Sequence, residues 1–289
     1  MSAKILKGKP IADEIKEEVK SGVEELKSRG ITVTLAAVQV GEDPASRAYI
    51  KMQMRNCQEV GIEYKLHQLP EATSAEELEG FIAKLNQDDS VTGIILQMPL
   101  PKHISPNAAF CWIDTYKDVE GVSPTSIGMI AFDMPRLVPP TAMAAITLLE
   151  STGEEISGKE AVVIGRSTIV GKPAALLLLQ RRLSATVTVC HTGTFKRGMV
   201  EEHVKRAEIL IAAAGRAELI KGEWIKPGAI VIDVGMNRVG KKFVGDVEFE
   251  TAKERASYIT PVPGGVGPVT VSILLRNVLE AARWQADRK

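Results

Sequence analysis

Residues Ala161 to Leu179, AVVIGRSTIVGKPAALLLL, constrain the fold more than any other stretch of the chain. A short apolar run ends at Gly165, a turn of glycine and serine follows, and an apolar segment of helical length comes next. Strand, phosphate-sized turn and helix, in that order, is how an α/β fold presents backbone N–H groups and a helix N-terminus to a dinucleotide pyrophosphate. The spacing Gly165-x-Ser167-x-x-x-Gly171 is not a strict G-x-G-x-x-G. A plain strand–helix corner, in which glycine supplies a positive φ, is therefore the competing reading of this turn.

Helix and strand signals alternate along the rest of the chain. Ile11 to Arg29 has helical spacing and stops at Gly30, and Thr34 to Val40 reads as a buried strand. Residues 45–60 return to helical period, Glu63 to Leu69 alternates as a strand does, and Ser74 opens a helix with Glu77 three residues on. Gly93 to Met98 is a further buried strand closed by Pro99 and Pro101. The proline-punctuated stretch Pro124 to Pro140 reads as a domain joint. Beyond it, a helix from Thr141 to Glu150 precedes strands at 161–164, 185–190, 208–214 and 229–234, and Val269 to Arg283 reads as a last helix. Near-continuous apolar strands alternating with helices imply parallel sheets covered on both faces. The expected fold is thus α/β in two domains: residues 1–139, completed by a C-terminal helix at 268–289, and a Rossmann-like nucleotide domain at 140–267. Substrate is expected in a cleft between them.

Composition excludes several classes. With 289 residues, 45% of them hydrophobic and 25% charged, and a formal net charge of zero, the chain has no electrostatic case for nucleic acid or an anionic membrane. No run approaches the ~18 apolar residues of a membrane span, and the N-terminal MSAKILKGKPIADEIKEE lacks an apolar signal core. Cys57, Cys111 and Cys190 form neither a disulfide framework nor a zinc pattern, so buried thiols in a reducing cytoplasm are expected, with no metal.

The strand Ala185–Cys190 ends in His191, Thr192 and Gly193 with no acid to grip an adenosine ribose diol, and Arg166 lies inside the glycine turn. That favours NADP over NAD. The alternative is that Arg166 and His191 are solvated turn residues.

Six separate stretches then point together: GEDPASRAYIKMQMRNCQEVGI (41–62), GIILQMPLP (93–101), KDVEG (117–121), GRSTIVGKP (165–173), GEWIKPGAIVIDVGMN (222–237) and YITPVPGGVGPVT (258–270). In this order, over essentially the whole chain, they resemble the methylenetetrahydrofolate dehydrogenase/cyclohydrolase family. The resemblance implies a one-carbon enzyme that oxidises 5,10-methylenetetrahydrofolate with a nicotinamide nucleotide and, in many members, hydrolyses the methenyl product to 10-formyltetrahydrofolate. It also implies a homodimer built through the nucleotide domain. On the folate side it assigns Tyr49, Gln97 and Glu120, with Gln53, to catalysis, and Tyr49, Gln97, Pro99, Asp118, Glu120, Pro263, Gly264 and Gly265 to substrate binding; the alternative for Asp118 is a turn residue that binds its own backbone. On the nucleotide side it assigns Gly165, Arg166, Ser167, Ile169 and Val170 in the turn. His191, Thr192, Ala214, Gly215, Gly235, Met236 and Thr270 complete that side.

Three places depart from the family pattern, the first two substantively. Where relatives carry a lysine four residues after the tyrosine, this chain has Gln53, and the acid in the turn that usually reads D-V-D-G is Glu120. The family's Pro-Cys-Thr-Pro segment is Pro139-Pro140-Thr141-Ala142 here. Residues four apart on a helix are separated by roughly 400°, so Tyr49 and Gln53 share a face, whereas Lys51 and Arg55 stand roughly 160° and 120° from Tyr49. Neither can occupy the vacant position. Without the family, Gln53 reads as an exposed helical glutamine. Hydride loss from a carbon flanked by two nitrogens requires no proton removal, but hydrolysis of the methenyl cation requires several proton transfers, which glutamine cannot perform. The sequence therefore predicts a dehydrogenase with weak or absent cyclohydrolase activity, a separate cyclohydrolase acting downstream. A fully bifunctional enzyme, and an inactive folate- or nucleotide-binding module, are the alternatives.

Overall fold

The computed structural model describes residues 2–42 and 44–288; Asp43, inside the stretch 41–62, lies outside them. In chain order the elements are β1 (Lys4–Ile5), α1 (Gly8–Ser28), β2 (Thr34–Val40), α2 (Pro44–Glu59), β3 (Glu63–Leu69), α3 (Ala75–Gln87), β4 (Gly93–Leu96), α4 (Pro106–Trp112) and α5 (Pro124–Ala131). Next come α6 (Pro140–Glu150), β5 (Glu160–Ile164), α7 (Gly171–Leu179), β6 (Thr186–Cys190), α8 (Thr192–Lys196), α9 (Val200–Arg206), β7 (Ile209–Ala212) and β8 (Ile230–Asp233). The hairpin β9 (Asn237–Val239) and β10 (Lys242–Val244), then α10 (Phe249–Ala252), β11 (Tyr258–Ile259) and α11 (Val266–Ala286) close the chain.

These elements form two compact units. The N-terminal unit comprises Asp13–Met129, Pro135–Val138 and Leu274–Lys289; the C-terminal unit comprises Met1–Ala12, Ile130–Met134 and Pro139–Ile273. Each has its own parallel sheet and its own apolar core. In the N-terminal unit the strand order is β3-β2-β4, and all seven residues of the central strand β2 are buried, which is why TLAAVQV is apolar on both faces. The start of α3 is fixed by a capping box: Ser74 Oγ accepts from the Glu77 N–H, and the Glu77 carboxylate accepts from the Ser74 N–H.

In the C-terminal unit six parallel strands run in the order β1-β11-β8-β7-β5-β6. The chain leaves β5 toward β6 on one side and returns to β7 on the other, so the strand order reverses at β5. Ligands of open α/β sheets bind outside the carboxyl ends of the strands at such a reversal.

The structure shifts four sequence-based expectations. Residues 1–12 belong to the C-terminal unit, because β1 pairs in parallel with β11 and the Gly8 N–H donates to the Gly264 carbonyl at 2.9 Å. Likewise α11 contributes to the C-terminal unit as far as Ile273 and to the N-terminal unit from Leu274. The joint at 124–140 contains the helix α5, and within it the chain passes between units after Met129, Met134 and Val138. Cys57 and Cys190 are buried as expected, but Cys111 is exposed on the short helix α4, its Sγ directed to the Asn107 carbonyl. Among the described residues no helix is long and apolar enough to cross a membrane.

Candidate active site

In the N-terminal unit, Ile50, Gln53 and Cys57 form the buried stripe of α2, at the spacing expected for a helix lying on a sheet. The stripe brings Gln53 to β3 and to the end of β4. Its Oε1 accepts from the Tyr64 hydroxyl at 3.1 Å and from Gln97 Nε2 at 2.8 Å. Gln97 is held in turn by its backbone N–H, which donates to the Val38 carbonyl of β2 at 2.8 Å. Gln53 is 3% exposed, so it is a buried member of a polar cluster rather than the exposed helical glutamine that composition alone suggests.

Tyr49, one helical turn before Gln53, completes the cluster. Its ring leaves the residue 42% exposed, while its hydroxyl end is desolvated and hydrogen-bonded to Gln53. Burial and the neighbouring Glu120 push the phenol up to about 12, against the opposing effect of the Gln53 bond. Burial likewise raises Tyr64 and takes the Cys57 thiol to about 12, so neither is a nucleophile near neutral pH. Lys51 and Arg55 line a separate surface depression of about 380 Å³ with Lys16 and Glu59, where Glu59 pairs with both Lys16 and Arg55. The buried Lys117 sends Nζ to the carbonyls of Leu85 (2.8 Å) and Asp88 (2.7 Å) at the end of α3. The partners of Gln53 are thus two phenols and an amide, which donate and accept hydrogen bonds but do not shuttle protons near neutral pH.

The KDVEG turn separates two acids that look equivalent in the sequence. Asp118 is fully buried and accepts from the N–H groups of Val122 (3.2 Å) and Ser123 (2.9 Å) and from the Ser126 hydroxyl (2.7 Å). Both of its oxygens are engaged in starting α5. Glu120 is half-buried with a desolvated carboxyl; burial first, then the Asp118 carboxylate, push it up to about 8 against an N–H bond from Leu96. Its neutral form is therefore favoured well above the usual carboxylate range. Pro99 is exposed just past β4. Pro263, Gly264 and Gly265 lie in the C-terminal unit, where Gly265 donates to the Pro261 carbonyl at 2.9 Å.

On that unit the sequence-assigned nucleotide residues follow four adjacent parallel strands: His191 and Thr192 after β6, Gly165 to Val170 after β5, Ala214 and Gly215 after β7, Gly235 and Met236 after β8. Parallel pairing puts all four loops on one sheet edge. Gly165 has φ +125°, and a Cβ there would stand 2.2 Å from the Ala213 carbonyl oxygen, so the turn admits no side chain. The Ser167 hydroxyl accepts from the N–H groups of Val170 (3.1 Å) and Gly171 (3.3 Å), and so occupies donors at the start of α7. Arg166 and Ile169 are exposed. His191 Nδ1 accepts from the Gly193 N–H at 3.1 Å, a bond that requires this nitrogen unprotonated. Thr270 lies on α11, and its hydroxyl donates to the Val266 carbonyl at 3.2 Å.

Two residues that the sequence did not single out stand out in space. Tyr64 occupies one position in an alternating strand, which signals burial but not a partner. Asp246 follows the hairpin β9–β10, which has no apolar alternation to announce it, and its carboxylate reaches back to the loop after β7.

Comparison with known proteins identifies the family. The profile for the catalytic domain of tetrahydrofolate dehydrogenase/cyclohydrolase matches residues 6–120, and that for its NAD(P)-binding domain matches residues 139–286. A bifunctional protein FolD of Acetivibrio thermocellus is 49% identical over 290 residues, covering both chains entirely. Another, from Moorella thermoacetica, is 51% identical over 98% of this chain and 100% of its own. Among solved structures, the bifunctional methylenetetrahydrofolate dehydrogenase/cyclohydrolase of Campylobacter jejuni superposes with a TM-score of 0.94 at 40% identity, covering 98% of this chain and 100% of that one. The Trypanosoma brucei enzyme, solved with NADP and an inhibitor, gives 0.93 at 37% identity with 99% of each chain covered. Matched from end to end by relatives of this kind, and in both halves by the family's own profiles, the chain belongs to the tetrahydrofolate dehydrogenase/cyclohydrolase family.

Proposed function

We propose that this chain oxidises 5,10-methylenetetrahydrofolate to 5,10-methenyltetrahydrofolate, with NADP as the preferred hydride acceptor. The observation that carries the reading is the full-length match to relatives named for this chemistry, with Tyr49 and Gln97 joined around Gln53 in the unit matched by the catalytic profile. The nicotinamide ring supplies the hydride-accepting carbon when the nucleotide is bound. The carbon that gives up the hydride lies between two nitrogens whose lone pairs stabilise the cation, so the protein has to orient the pterin and exclude water rather than move a proton. Tyr49, 42% exposed and held by Gln53, is the member of the cluster that can face the pterin, while the buried Gln53–Gln97 amides fix its position. The support for a nucleotide at the glycine turn is its place after β5, where the strand order reverses, in the half matched by the NAD(P)-binding profile. Arg166 is the exposed cation beside that turn, and β6 ends without an acid, which favours the 2′-phosphate form. His191 Nδ1 is committed to its own helix cap.

For the second half-reaction the relatives' names support hydrolysis of the methenyl product by the same chain, and they support it more directly than any comparison supports its loss. A second reading rests on Gln53. Water attack and opening of the ring need proton transfers that a buried amide bonded to Tyr64 and Gln97 does not supply, so hydrolysis is slow relative to oxidation and a separate cyclohydrolase completes the sequence. One experiment divides these readings: reduction of NADP and of NAD with methylenetetrahydrofolate, and decay of methenyltetrahydrofolate without nucleotide, measured on the same preparation. Absence of nucleotide reduction overturns the dehydrogenase. Hydrolysis as fast as oxidation establishes the bifunctional reading and removes the second. Homodimerisation, which the family resemblance implies, is checked by sedimentation.

A further inference from the structure

Asp246 in the C-terminal unit makes an unusual set of bonds. It is fully buried, and its two carboxylate oxygens accept from three successive backbone amides, Ala214 (2.5 Å), Gly215 (2.9 Å) and Arg216 (2.8 Å), and from the side-chain amide of Asn237 (2.8 Å). Successive amides that converge in this way form an anion-binding concavity, the kind of nest that elsewhere takes a phosphate. Here the chain fills it with its own carboxylate. The donors of Ala214 and Gly215 are therefore directed inward, and whatever these residues offer a ligand comes from their other groups.

A second buried acid supports the first. Asp233, the last residue of β8, is 4% exposed and accepts from the N–H groups of Gly235 (2.9 Å), Asp246 (3.0 Å) and Val247 (2.8 Å). Asp233 thus holds the backbone at Asp246, and Asp246 holds the loop after β7. Asn237, at the start of the hairpin, brings the loop after β8 to the same carboxylate. Gly235 closes the arrangement, because a Cβ there would stand 2.3 Å from Asp246 Oδ1. Two neighbouring loops on the nucleotide edge of the sheet are in this way tied to one side chain.

We infer that Asp246 is a positioning residue for nucleotide binding, which fixes the loops Ala214–Arg216 and Gly235–Asn237 in one shape through four charge-assisted hydrogen bonds. This rests on the proposed function for the identity of the ligand, but the tie itself does not. Asparagine at 246 keeps the shape while placing an NH₂ against N–H donors, so part of the nest opens.

The test compares the intact protein with Asp246→Asn by direct binding of NADPH (quenching or enhancement of its fluorescence), by calorimetry with tetrahydrofolate, and by amide hydrogen exchange. The expected result is an NADPH dissociation constant raised about tenfold, the worth of one charge-assisted hydrogen bond, with tetrahydrofolate affinity within about twofold of the parent. Exchange at residues 214–216 accelerates in the absence of any ligand. A folded variant with unchanged NADPH affinity, or with protected amides at 214–216, overturns the assignment, as does an equal loss of both ligands. If Asp246→Asn does not fold, Asn237→Ala removes a single donor and is read by the same arms, with an effect of about threefold expected and none overturning the proposal. Failure of the parent protein to bind NADPH or NADH sinks the functional reading instead, and the exchange at 214–216 then decides the tie alone.

Discussion

The side-chain amide of Gln97 donates to Oε1 of Gln53 across 2.8 Å, joining the end of β4 to the middle of α2 in the interior of the N-terminal unit. With the Tyr64 hydroxyl on the same oxygen, the carbonyl of Gln53 has both lone pairs engaged. An ammonium in its place has only donors, so Gln97 and Tyr64 would have to present oxygen instead. Gln97 can do so by turning its amide, and Tyr64 by turning its hydroxyl. Position 53 thus takes an ammonium only if both neighbours turn, which makes a glutamine-to-lysine exchange informative.

Gln53→Lys is expected to accelerate methenyltetrahydrofolate hydrolysis by about a hundredfold, the low side of what a positioned acid–base group contributes, with a smaller change in nucleotide reduction. Rearranging two buried hydrogen bonds costs about 1–3 kcal/mol of stability. Methenyl absorbance decay and urea unfolding of the same variant give both numbers. No gain in hydrolysis would show that an amine at this position is insufficient here.

Glu120 predicts a pH dependence of definite sign. Its carboxyl is raised from 4.5 to about 8, so the stability contributed by its neutral form is fully present below about 4.5 and lost as pH rises through about 8. Asp233, raised from 3.8 to about 7 chiefly by burial, acts in the same direction. The melting temperature of the parent should fall from pH 6 to pH 9, and that of Glu120→Gln should fall less. Parallel curves for the two proteins would place the titration elsewhere.

Asp118→Ala is expected to destabilise the protein by about 3 kcal/mol, because it leaves the Val122 and Ser123 amides and the Ser126 hydroxyl buried without their acceptor. The Asn variant, which keeps one accepting oxygen, should lose less. Denaturant titration distinguishes these from a ligand-contact role, in which stability would barely move while folate affinity dropped.

Gly165→Ala should weaken NADPH binding strongly while leaving tetrahydrofolate binding close to the parent. The added Cβ meets the Ala213 carbonyl at 2.2 Å and φ is +125°, so the turn has to move. Fluorescence titration with NADPH reads the effect, and an unchanged affinity would separate this turn from the nucleotide.

Much of the architecture was legible from local periodicity. Thr34–Val40 and Glu63–Leu69 fall where apolar runs and alternation put them, and the Ser74 cap forms with Glu77 as its spacing requires. The helix geometry that sent Lys51 and Arg55 away from Tyr49 also held, since both line a depression with Lys16 and Glu59. Asp118 and Glu120 could not be told apart in this way, because desolvation depends on what packs over a side chain, not on its neighbours in the chain.

What the sequence by itself determined is therefore the order of strands and helices, the glycine turn, and an amide one helical turn after Tyr49. Only the tertiary structure decided that Gln53 meets Tyr64, 11 residues away, and Gln97, 44 away, and that Asp246 meets the amide of Ala214, 32 away. Periodicity fixes which face of an element is buried, whereas the partner it finds there depends on which strand lies beside which. The pairing of β1 with β11, which carries the first residues of the chain into the C-terminal unit, was invisible for the same reason.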